Sequence, residues 1–438
     1  MSEVSLAQAL EAQRERLLPC VHCGFCLPAC PTYNRLGDEN DSPRGRLHLM
    51  RHVVEGRLSA DSDAFRDHID RCLGCRACEP VCPSGVEYGS LLELARETAN
   101  RAAPPAVPTR ALLTVFASRP LRELFFLGGR FMRGSGLASL GARVLPEGGL
   151  LGSARLGLAM LASTEAWDPP RPAPLKASRA EEATSPGSRG RVGLLTGCVQ
   201  DGLFSRVNDA TRRVLEANGF AVVPVSGQEC CGALHAHGGA LDDARALARV
   251  NIDAFSRDSL DFIVVNAAGC GATMKEYAHL LEHDSAYSDS AQATAAKVRD
   301  ITEVLASVGP RRGAEVKCSV AYDHPCHLLH AQGVEQPPLE VLRAIPGVEV
   351  RMVERADECC GGAGIYGITH PDLGGRIGAD KVKAVRACSA DVAATPNPGC
   401  MMQIGAGLRL EGASEAVLHP VELLDESYRR AGYYSAGH

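Results

Sequence analysis

The chain has 438 residues, a formal net charge of −6 at pH 7 and 18 cysteines. This length allows two or three domains with ordinary cores. An acidic chain lacks the basic face that nucleic-acid binding requires, so we expect no nucleic-acid partner. Disulfide-dense proteins are usually small, so the number of cysteines is better explained by metal binding than by a disulfide framework.

The beginning of the chain also argues against secretion. Charged residues interrupt the apolar positions before the first cysteine, so the apolar core of a signal peptide is missing. We therefore expect a reducing, cytoplasmic location with metal-bound thiolates. No stretch reaches the ~20 uninterrupted apolar residues that span a bilayer. A protein bound peripherally to the cytoplasmic side of the inner membrane is also consistent with the absence of such a stretch.

Residues 1–103 form a cysteine-rich module in which Cys-x-x-Cys-x-x-Cys-x-x-x-Cys-Pro occurs twice. In this pattern three cysteines wrap around one [4Fe–4S] cluster, and the fourth, followed by proline, reaches the other cluster. The sequence therefore predicts two [4Fe–4S] clusters in one unit. The predicted ligands of the first cluster are Cys20, Cys23, Cys26 and Cys82. The predicted ligands of the second cluster are Cys72, Cys75, Cys78 and Cys30.

The segment between the two motifs is predicted to form helices over 45–54 and 64–71. These helices make the module mostly α-helical, and it resembles the helical ferredoxin modules of respiratory dehydrogenase subunits. Arg44 and Arg46 lie in this segment. A cation near a cluster would raise its reduction potential, whereas a solvated turn around Pro43 would simply place both side chains in water.

Residues 104–190 form a helical segment followed by a linker. The stretch 110–164 is rich in Leu and Arg and predicts two or three helices, separated at 128–129, at 134–136 and at Pro146. It carries seven Arg, against Glu123, Glu147 and Glu165 as acidic neighbours. Basic amphipathic helices bind an anionic membrane surface, bind a partner, or pack on adjacent domains. The five prolines in 168–191 predict a linker.

Residues 191–438 alternate short β-like apolar runs with helix-length segments. This alternation predicts an α/β domain built on parallel sheet. The whole chain is thus expected to be a multidomain α plus α/β protein. The predicted strands are 192–196, 221–225, 262–266, 316–322, 348–353 and 392–395.

The α/β region is internally duplicated, with repeats over about 191–310 and 311–438. Each repeat has one cysteine, then an adjacent pair followed by glycine, then a last cysteine, at intervals that agree to within one residue. Ligands of open parallel sheets bind beyond the carboxyl ends of the strands, so each repeat should bring four thiols together. The two sets are Cys198, Cys230, Cys231 and Cys270, and Cys326, Cys359, Cys360 and Cys400.

Four thiolates suit a further iron–sulfur cluster or zinc, and a scaffold with idle thiols is the remaining alternative. Histidines near these cysteines are further candidate ligands, although loop histidines are commonly structural: His235, His237, His324, His327 and His330. Cys318 and Cys388 fall outside both sets, and Cys318 is predicted to be an ordinary buried residue. Gly362, Gly364 and Gly367 formally match a dinucleotide fingerprint. We interpret them instead as backbone room beside the thiols, because Cys359 and Cys360 stand where a strand should precede the glycines.

The duplicated Cys-Cys-Gly pattern resembles the cysteine-rich domain of heterodisulfide reductase-type subunits. The fullest form of that motif ends in Cys-x-x-Cys, whereas this chain has Thr273 and Gln403 at the last position. The arrangement of the whole chain resembles the family of glycolate oxidase (glycolate dehydrogenase) iron–sulfur subunits. The segments that carry the second resemblance are 20–26, 41–46, 70–73, 269–272, 275–277 and 369–373.

The resemblance implies a subunit of an oxidoreductase with several chains. Partner subunits with FAD would oxidise glycolate to glyoxylate, and this chain would carry the electrons onward to quinone, with no catalytic residue of its own. The chain itself contains no convincing nucleotide-binding signature. Related alternatives are the iron–sulfur subunits of anaerobic glycerol-3-phosphate dehydrogenase and of lactate dehydrogenase. An alternative from another class is a reductase that cleaves a disulfide at its C-terminal cysteines.

Overall fold

The structure is a computed structural model that describes Leu10 and residues 13–167 and 187–434. Its N-terminal part is helical, with the two cysteine loops between the helices. The helices predicted over 45–54 and 64–71 are confirmed as α3 and α4. The N-terminal helices are α1 Arg14–Leu17, α2 Pro31–Leu36, α3 Pro43–Val54, α4 Asp63–Asp70 and α5 Tyr88–Ala102, with a 3₁₀ turn at Glu39–Asp41.

Local capping explains where the two helices between the cysteine loops begin. The Ser42 hydroxyl accepts a hydrogen bond from the Gly45 amide, and Pro43 occupies the first helical position, where no amide hydrogen is needed. Ser62 caps α4 in the same way, through the Phe65 amide. The buried faces of α3, α4 and α5 then form one apolar core with the cysteine loops.

The middle segment forms a helical layer against the rest of the chain. The breaks predicted at 134–136 and at Pro146 are confirmed, but the break at 128–129 is wrong. Both glycines lie inside a continuous helix, and Gly129 faces Leu161 and Leu203. The linker predicted over 168–191 lies largely outside the described residues. The helices are α6 Val107–Ala117, α7 Arg119–Gly134, α8 Leu137–Val144 and α9 Gly149–Ala162.

The α/β region contains two four-stranded parallel sheets with the same topology. The first sheet has the order β2-β1-β3-β4 and the second the order β6-β5-β7-β8. The six predicted strands are confirmed with boundaries shifted by up to two residues, but the edge strands β4 and β8 were missed. The strands are β1 Arg191–Leu194, β2 Ala221–Val223, β3 Phe262–Val265, β4 Val298–Asp300, β5 Cys318–Tyr322, β6 Val348–Met352, β7 Val392–Ala394 and β8 Ala416–Leu418.

Helices cover both sheets and complete the repeats. In the first repeat they are α10 Val199–Leu203, α11 Ser205–Ala217, α12 Ala233–His237, α13 Leu241–Ser256, α14 Ala268–Lys275, α15 Tyr277–Leu280, α16 Ser288–Lys297 and α17 Ile301–Val308. In the second repeat they are a π-helical turn at His327–Ala331, α18 Gln336–Arg343, α19 Tyr366–Thr369, α20 Pro371–Ala387, α21 Pro398–Leu410 and α22 Pro420–Ala431.

The two repeats share one apolar core. Their buried residues form a single cluster that includes Val192, Val264, Val320 and Ala393 from the central strands of both sheets. Ion pairs cross the same boundary, for example Arg213 to Asp425 at 2.6 Å. The strand order reverses beside β1 in the first sheet and beside β5 in the second, and the carboxyl ends at these points open toward the cysteines.

Candidate metal centres

The first cysteine loop forms a small cavity at the protein surface. Cys20, Cys23, Cys26 and Cys82 all line it, as predicted for one ligand set, with Cys78 beside them. The loop turns through left-handed backbone at His22 and Gly24, whose φ angles are 54° and 88°. Such tight turns are needed for successive cysteines to face one point. Cys23 is exposed, and its three partners are half-buried.

The second cysteine loop has the same backbone but a buried setting. Left-handed residues recur two and four positions after its first cysteine, at Gly74 and Arg76. Cys72, Cys75, Cys78 and the predicted fourth ligand Cys30 are all buried. Burial, followed by the neighbouring thiols, raises the pKa of Cys75 and of Cys78 well above the ordinary value. Cys30 is among the neighbours that raise the pKa of both thiols, so the structure brings the second set together.

Arg46 is a buried cation beside the second loop. Its side chain is fully buried, with Nη1 at 4.0 Å from Cys30 Sγ and Nη2 at 3.2 Å from Asp41 Oδ1. Burial opposes this charge, but Cys72 and other neighbours hold the pKa of Arg46 above its usual value. Arg44 instead pairs with Glu39 nearer the surface. The two arginines therefore differ. Arg46 is a cation beside a thiol, whereas Arg44 belongs to a surface turn.

The first quartet of the α/β region also converges. Cys198 and Cys230 have their sulfurs 3.5 Å apart and are buried with Cys231. Hydrogen bonds from Cys198 and Cys231 lower the pKa of Cys230 well below its ordinary value. Cys231 in turn interacts with Cys270, which is half-buried, so that the four predicted thiols form a continuous chain.

The second quartet repeats this arrangement. Cys360 and Cys400 have their sulfurs 3.3 Å apart, and Cys359 interacts with both Cys326 and Cys360. The pKa of Cys360 is lowered by hydrogen bonds from Cys359 and Cys400, as that of Cys230 is in the first repeat. All four thiols are buried. Both quartets therefore present a donor set that fits a thiophilic metal centre.

Buried polar side chains lie behind the cysteine pair of each repeat, and sequence reasoning missed them. In the first repeat Asn251 donates to the Cys230 carbonyl at 2.9 Å, and the Tyr277 hydroxyl donates to the Cys231 carbonyl at 2.8 Å. In the second repeat Lys381 donates to Asp323 at 2.6 Å and to the Arg355 carbonyl at 2.8 Å. The helical spacing of these residues resembles that of ordinary core positions, so no sequence pattern singles them out.

The second cysteine loop and the second quartet meet in one apolar cluster. Cys75 lies in this cluster with Cys326 and Cys359, and burial together with the nearby Cys326 raises the pKa of Cys75. The interface is fixed by hydrogen bonds from His327 Nε2 to the Gly74 carbonyl at 3.1 Å and from the Tyr366 hydroxyl to the Arg71 carbonyl at 2.8 Å. The helical module and the second repeat are therefore in contact at their sulfur sites.

The candidate histidines mostly bond to protein groups other than sulfur. His235, His327 and His330 each bond to a backbone carbonyl, of Leu113, Gly74 and Asp357 respectively. His237 bonds to Glu93 and stacks on His327. His324 is buried, and burial lowers its pKa. The structure thus assigns four of the five to packing and hydrogen bonding.

The glycines of the fingerprint-like segment surround the second quartet. Strand β6 ends at Met352, and the cysteine pair separates it from Gly362. A Cβ on Gly362 would lie 3.5 Å from Cys360 Sγ and 3.1 Å from Gln403 Cβ, and one on Gly367 would lie 3.0 Å from Gln403 Oε1. The glycines therefore provide room beside the thiols. Cys318 is buried at the start of β5, and burial raises its pKa to about 11; Cys388 is half-buried.

Two family models match the chain. The model of the 4Fe-4S dicluster domain matches residues 16–86, and the model of the cysteine-rich domain matches residues 192–275 and 320–405. Within the part of the chain that the structure describes, no helix is long and apolar enough to cross a membrane. Together with the convergent thiols, these matches define an iron–sulfur electron-transfer protein of the two-cluster type, joined to a duplicated cysteine-rich domain.

The similarity to known proteins extends over nearly the whole chain. The chain is 38% identical over 431 residues to the probable glycolate oxidase iron-sulfur subunit of Bacillus subtilis (strain 168), covering 94% of each protein. It is 34% identical to the glycolate oxidase iron-sulfur subunit of Escherichia coli (strain K12), covering 97% of each. It is 26% identical to a fumarate reductase (CoM/CoB) subunit of Methanothermobacter marburgensis, covering 94% of this chain and 73% of the relative. The chain belongs to the family of glycolate oxidase iron–sulfur subunits.

Proposed function

We propose that this chain relays electrons within an enzyme that oxidises glycolate to glyoxylate. A flavin on a partner subunit would donate the electrons, and quinone would receive them. The observation that carries this proposal is that Cys75 of the second loop and Cys326 of the second quartet lie in one buried apolar cluster. Sulfur sites inside one core are suited to passing electrons, since burial also keeps solvent away from them.

For the N-terminal module we propose the two ligand sets that the sequence predicts. Cys20, Cys23, Cys26 and Cys82 would hold one [4Fe–4S] cluster, and Cys72, Cys75, Cys78 and Cys30 the other. A bound cluster supplies a carrier for one electron at a time. The protein's own residues bury the second site and place the Arg46 guanidinium 4.0 Å from Cys30 Sγ, a charge that favours the reduced state.

We further propose that each C-terminal quartet binds a metal centre, either an iron–sulfur cluster or zinc. Support comes from the sulfur separations of 3.5 and 3.3 Å within the quartets. Thr273 and Gln403, three residues after the last cysteine of each repeat, are buried and have side-chain oxygens without a hydrogen-bond partner. Such orphaned polar atoms beside converging thiols suit a site that is completed by a bound group.

The middle helices are the proposed route to a membrane quinone. Of the large apolar side chains exposed in the described residues, ten lie within 107–151: Val107, Leu121, Leu124, Phe125, Leu127, Phe131, Leu137, Leu140, Val144 and Leu151. Arg110, Arg130 and Arg143 are exposed beside them. Basic groups around an apolar face favour an anionic membrane surface on the cytoplasmic side. Arg122 of α7 also pairs with Glu229, directly before the Cys230-Cys231 pair.

The proposal is tested by comparing the chain alone with the chain bound to its flavoprotein subunits. We expect no glycolate oxidation by the reconstituted chain alone, and electron delivery to a quinone analogue only when the FAD subunits are present. Glycolate oxidation by the isolated chain contradicts the proposal. Parallel assays with glycerol 3-phosphate and lactate distinguish the related dehydrogenases.

Metal analysis and electron paramagnetic resonance test the assignment of the centres. The wild-type chain should give two cubane signals. Cys23→Ser should remove the signal of the first cluster, and Cys75→Ser should remove that of the second. Iron or zinc beyond those two clusters should be lost in Cys230→Ser and Cys360→Ser. A C-terminal signal that responds to a disulfide substrate would favour the alternative of a catalytic reductase.

A further inference from the structure

The two cysteine loops use equivalent positions in different ways. Leu73 and Ala77, one and five residues after the first cysteine of the second loop, are 5% and 7% exposed and pack against the second repeat. Val21 and Phe25 hold the same positions in the first loop and are 70% and 65% exposed. The two loops share their backbone turns, so the difference arises from what covers them.

The middle cysteine shows the same contrast. Cys75 is buried in one cluster with Cys326 of the second quartet, whereas Cys23 is exposed. Within this chain, therefore, the second loop presents its apolar positions and its middle cysteine to another sulfur site. The first loop presents the same set to solvent. An apolar set of this kind around a redox site is typical of a docking surface.

Further exposed apolar residues extend the surface of the first loop. Leu18 and Val81 are 61% and 41% exposed, and each lies within two residues of a cysteine of the first set. Together with Val21 and Phe25 they form what we name the first-loop patch. Scattered single apolar residues need no explanation, but four around one metal-ligand set do.

Basic side chains border the first-loop patch. Arg44 Nη1 donates to the His22 carbonyl at 3.0 Å, and Arg51 Nη2 donates to the Leu17 carbonyl at 3.0 Å. Glu39 pairs with Arg44. The two arginines that bond to the backbone beside the patch are therefore accompanied by a single paired carboxylate. A partner with an acidic rim complements this border, and such complementarity speeds docking.

We propose that the first-loop patch is the docking site for the FAD-bearing subunit, which would face Cys23 as the second quartet faces Cys75. This inference rests on the proposed function and adds the place where electrons enter. The order of sites is then the first loop, the second loop, the second quartet and the rest of the α/β region. A cluster held by Cys20, Cys23, Cys26 and Cys82 would supply the acceptor for single electrons from the partner's flavin.

The test uses the complex of the full chain with its co-expressed flavoprotein subunits. Val21→Glu places an acid in the patch, Val21→Lys is the matched variant of opposite charge, and Val250→Glu changes an exposed valine far along the chain. The readouts are the amount of flavoprotein that co-purifies and the anaerobic rate at which glycolate bleaches the iron–sulfur absorbance. Iron content is measured for every variant, so that loss of the cluster is not mistaken for loss of docking.

We expect Val21→Glu to slow reduction by about tenfold or more while keeping its iron, with Val21→Lys less affected and Val250→Glu unchanged. If Val21→Glu loses iron, Phe25→Ala, which removes only apolar contact, should still slow reduction. Wild-type rates in iron-replete Val21→Glu or Phe25→Ala overturn the docking site. The docking site is also overturned if Leu124→Glu, on the middle helices, no longer co-purifies with the flavoprotein while Val21→Glu still does. A wild-type chain that takes no electrons from the flavoprotein overturns the proposed function together with this site.

Discussion

The two repeats of the α/β region have the same topology and cysteine intervals but support their thiols with different chemistry. The first repeat holds its cysteine pair with neutral groups, the Asn251 amide and the Tyr277 hydroxyl. The second uses the buried ion pair of Lys381 with Asp323, whose side chains are 3% and 2% exposed. The comparison teaches that duplication preserved the position of the sulfurs while the polar shell behind them diverged.

Loss of the buried ammonium should give the largest effect. Lys381→Met leaves Asp323 buried without its partner, which costs about 3–5 kcal/mol, whereas Asn251→Leu in the first repeat should cost about 1–3 kcal/mol. Chemical denaturation of both variants measures the difference. Adding Asp323→Asn to Lys381→Met should recover part of the loss. Equal costs for the two single variants would mean that the ion pair and the amide are interchangeable.

The glycine after each cysteine pair provides the next comparison. Gly232 and Gly361 have φ angles of 89° and 82°, so alanine costs about 1–2 kcal/mol at either position from backbone strain alone. A Cβ on Gly361 would also lie 2.7 Å from the Gly374 carbonyl oxygen, against 3.3 Å from that of Ala244 for Gly232. Gly361→Ala should therefore lower the melting temperature more than Gly232→Ala. The reverse order would show that α20 moves aside more easily than α13.

The residues that cap the last helix of each repeat should respond to pH in opposite directions. His419 caps α22, and burial lowers its pKa to about 3, so only the unfolded chain binds the proton between pH 6.5 and 3. Stability from this group is present above pH 6.5 and falls by up to about 1.4 kcal/mol per pH unit below it. Asp300 caps α17, and burial raises its pKa to about 7, so its contribution instead falls as pH rises from about 4 to 7.

Melting temperatures across this pH range test the opposition. His419→Asn should flatten the loss on the acid side, and Asp300→Asn should flatten the loss between pH 4 and 7, since asparagine also caps helices. Identical pH profiles for wild type and both variants would rule out the proposed protonation states.

The smallest expected effect concerns the link between the repeats. Asn397 accepts from the Gly269 amide at 3.2 Å and donates to Cys400 Sγ at 3.3 Å. The first repeat has Ala267 at the matching position, which has no polar side chain. The first repeat therefore makes no equivalent side-chain bond to the second. Asn397→Ala should cost about 1 kcal/mol in denaturation. Asn397→Asp keeps the acceptor for Gly269 and removes the donor to sulfur, so comparing the two variants separates these bonds.

The parts of the fold that could be predicted are those that leave a local pattern. Cysteine spacing predicted that each N-terminal set and each quartet would come together, and within the quartets each long interval spans helices and one strand. The edge strands β4 and β8 were not predicted, although β2 and β7 are equally short. The break predicted at Gly128-Gly129 failed because tertiary packing overrode helix propensity there.

Contacts between distant segments account for most of what the sequence could not predict. Val21 and Leu73 occupy equivalent places in equivalent motifs, yet one is exposed and the other buried, because the second repeat covers only one loop. Arg44 and Arg46 are likewise two residues apart with opposite environments. Burial in such cases depends on the assembled fold rather than on neighbouring residues.

The shared core of the second loop and the second repeat bears on how electron transfer depends on protein concentration. Electron carriers on separate proteins must meet by diffusion, so their exchange slows as concentration falls. Here Leu73, Cys75, Cys326 and Tyr366 lie in one apolar cluster of one chain, which makes the encounter intramolecular. Under the proposed relay, transfer between these two sites would be independent of protein concentration, and only electron entry from the flavoprotein and exit to quinone would slow on dilution.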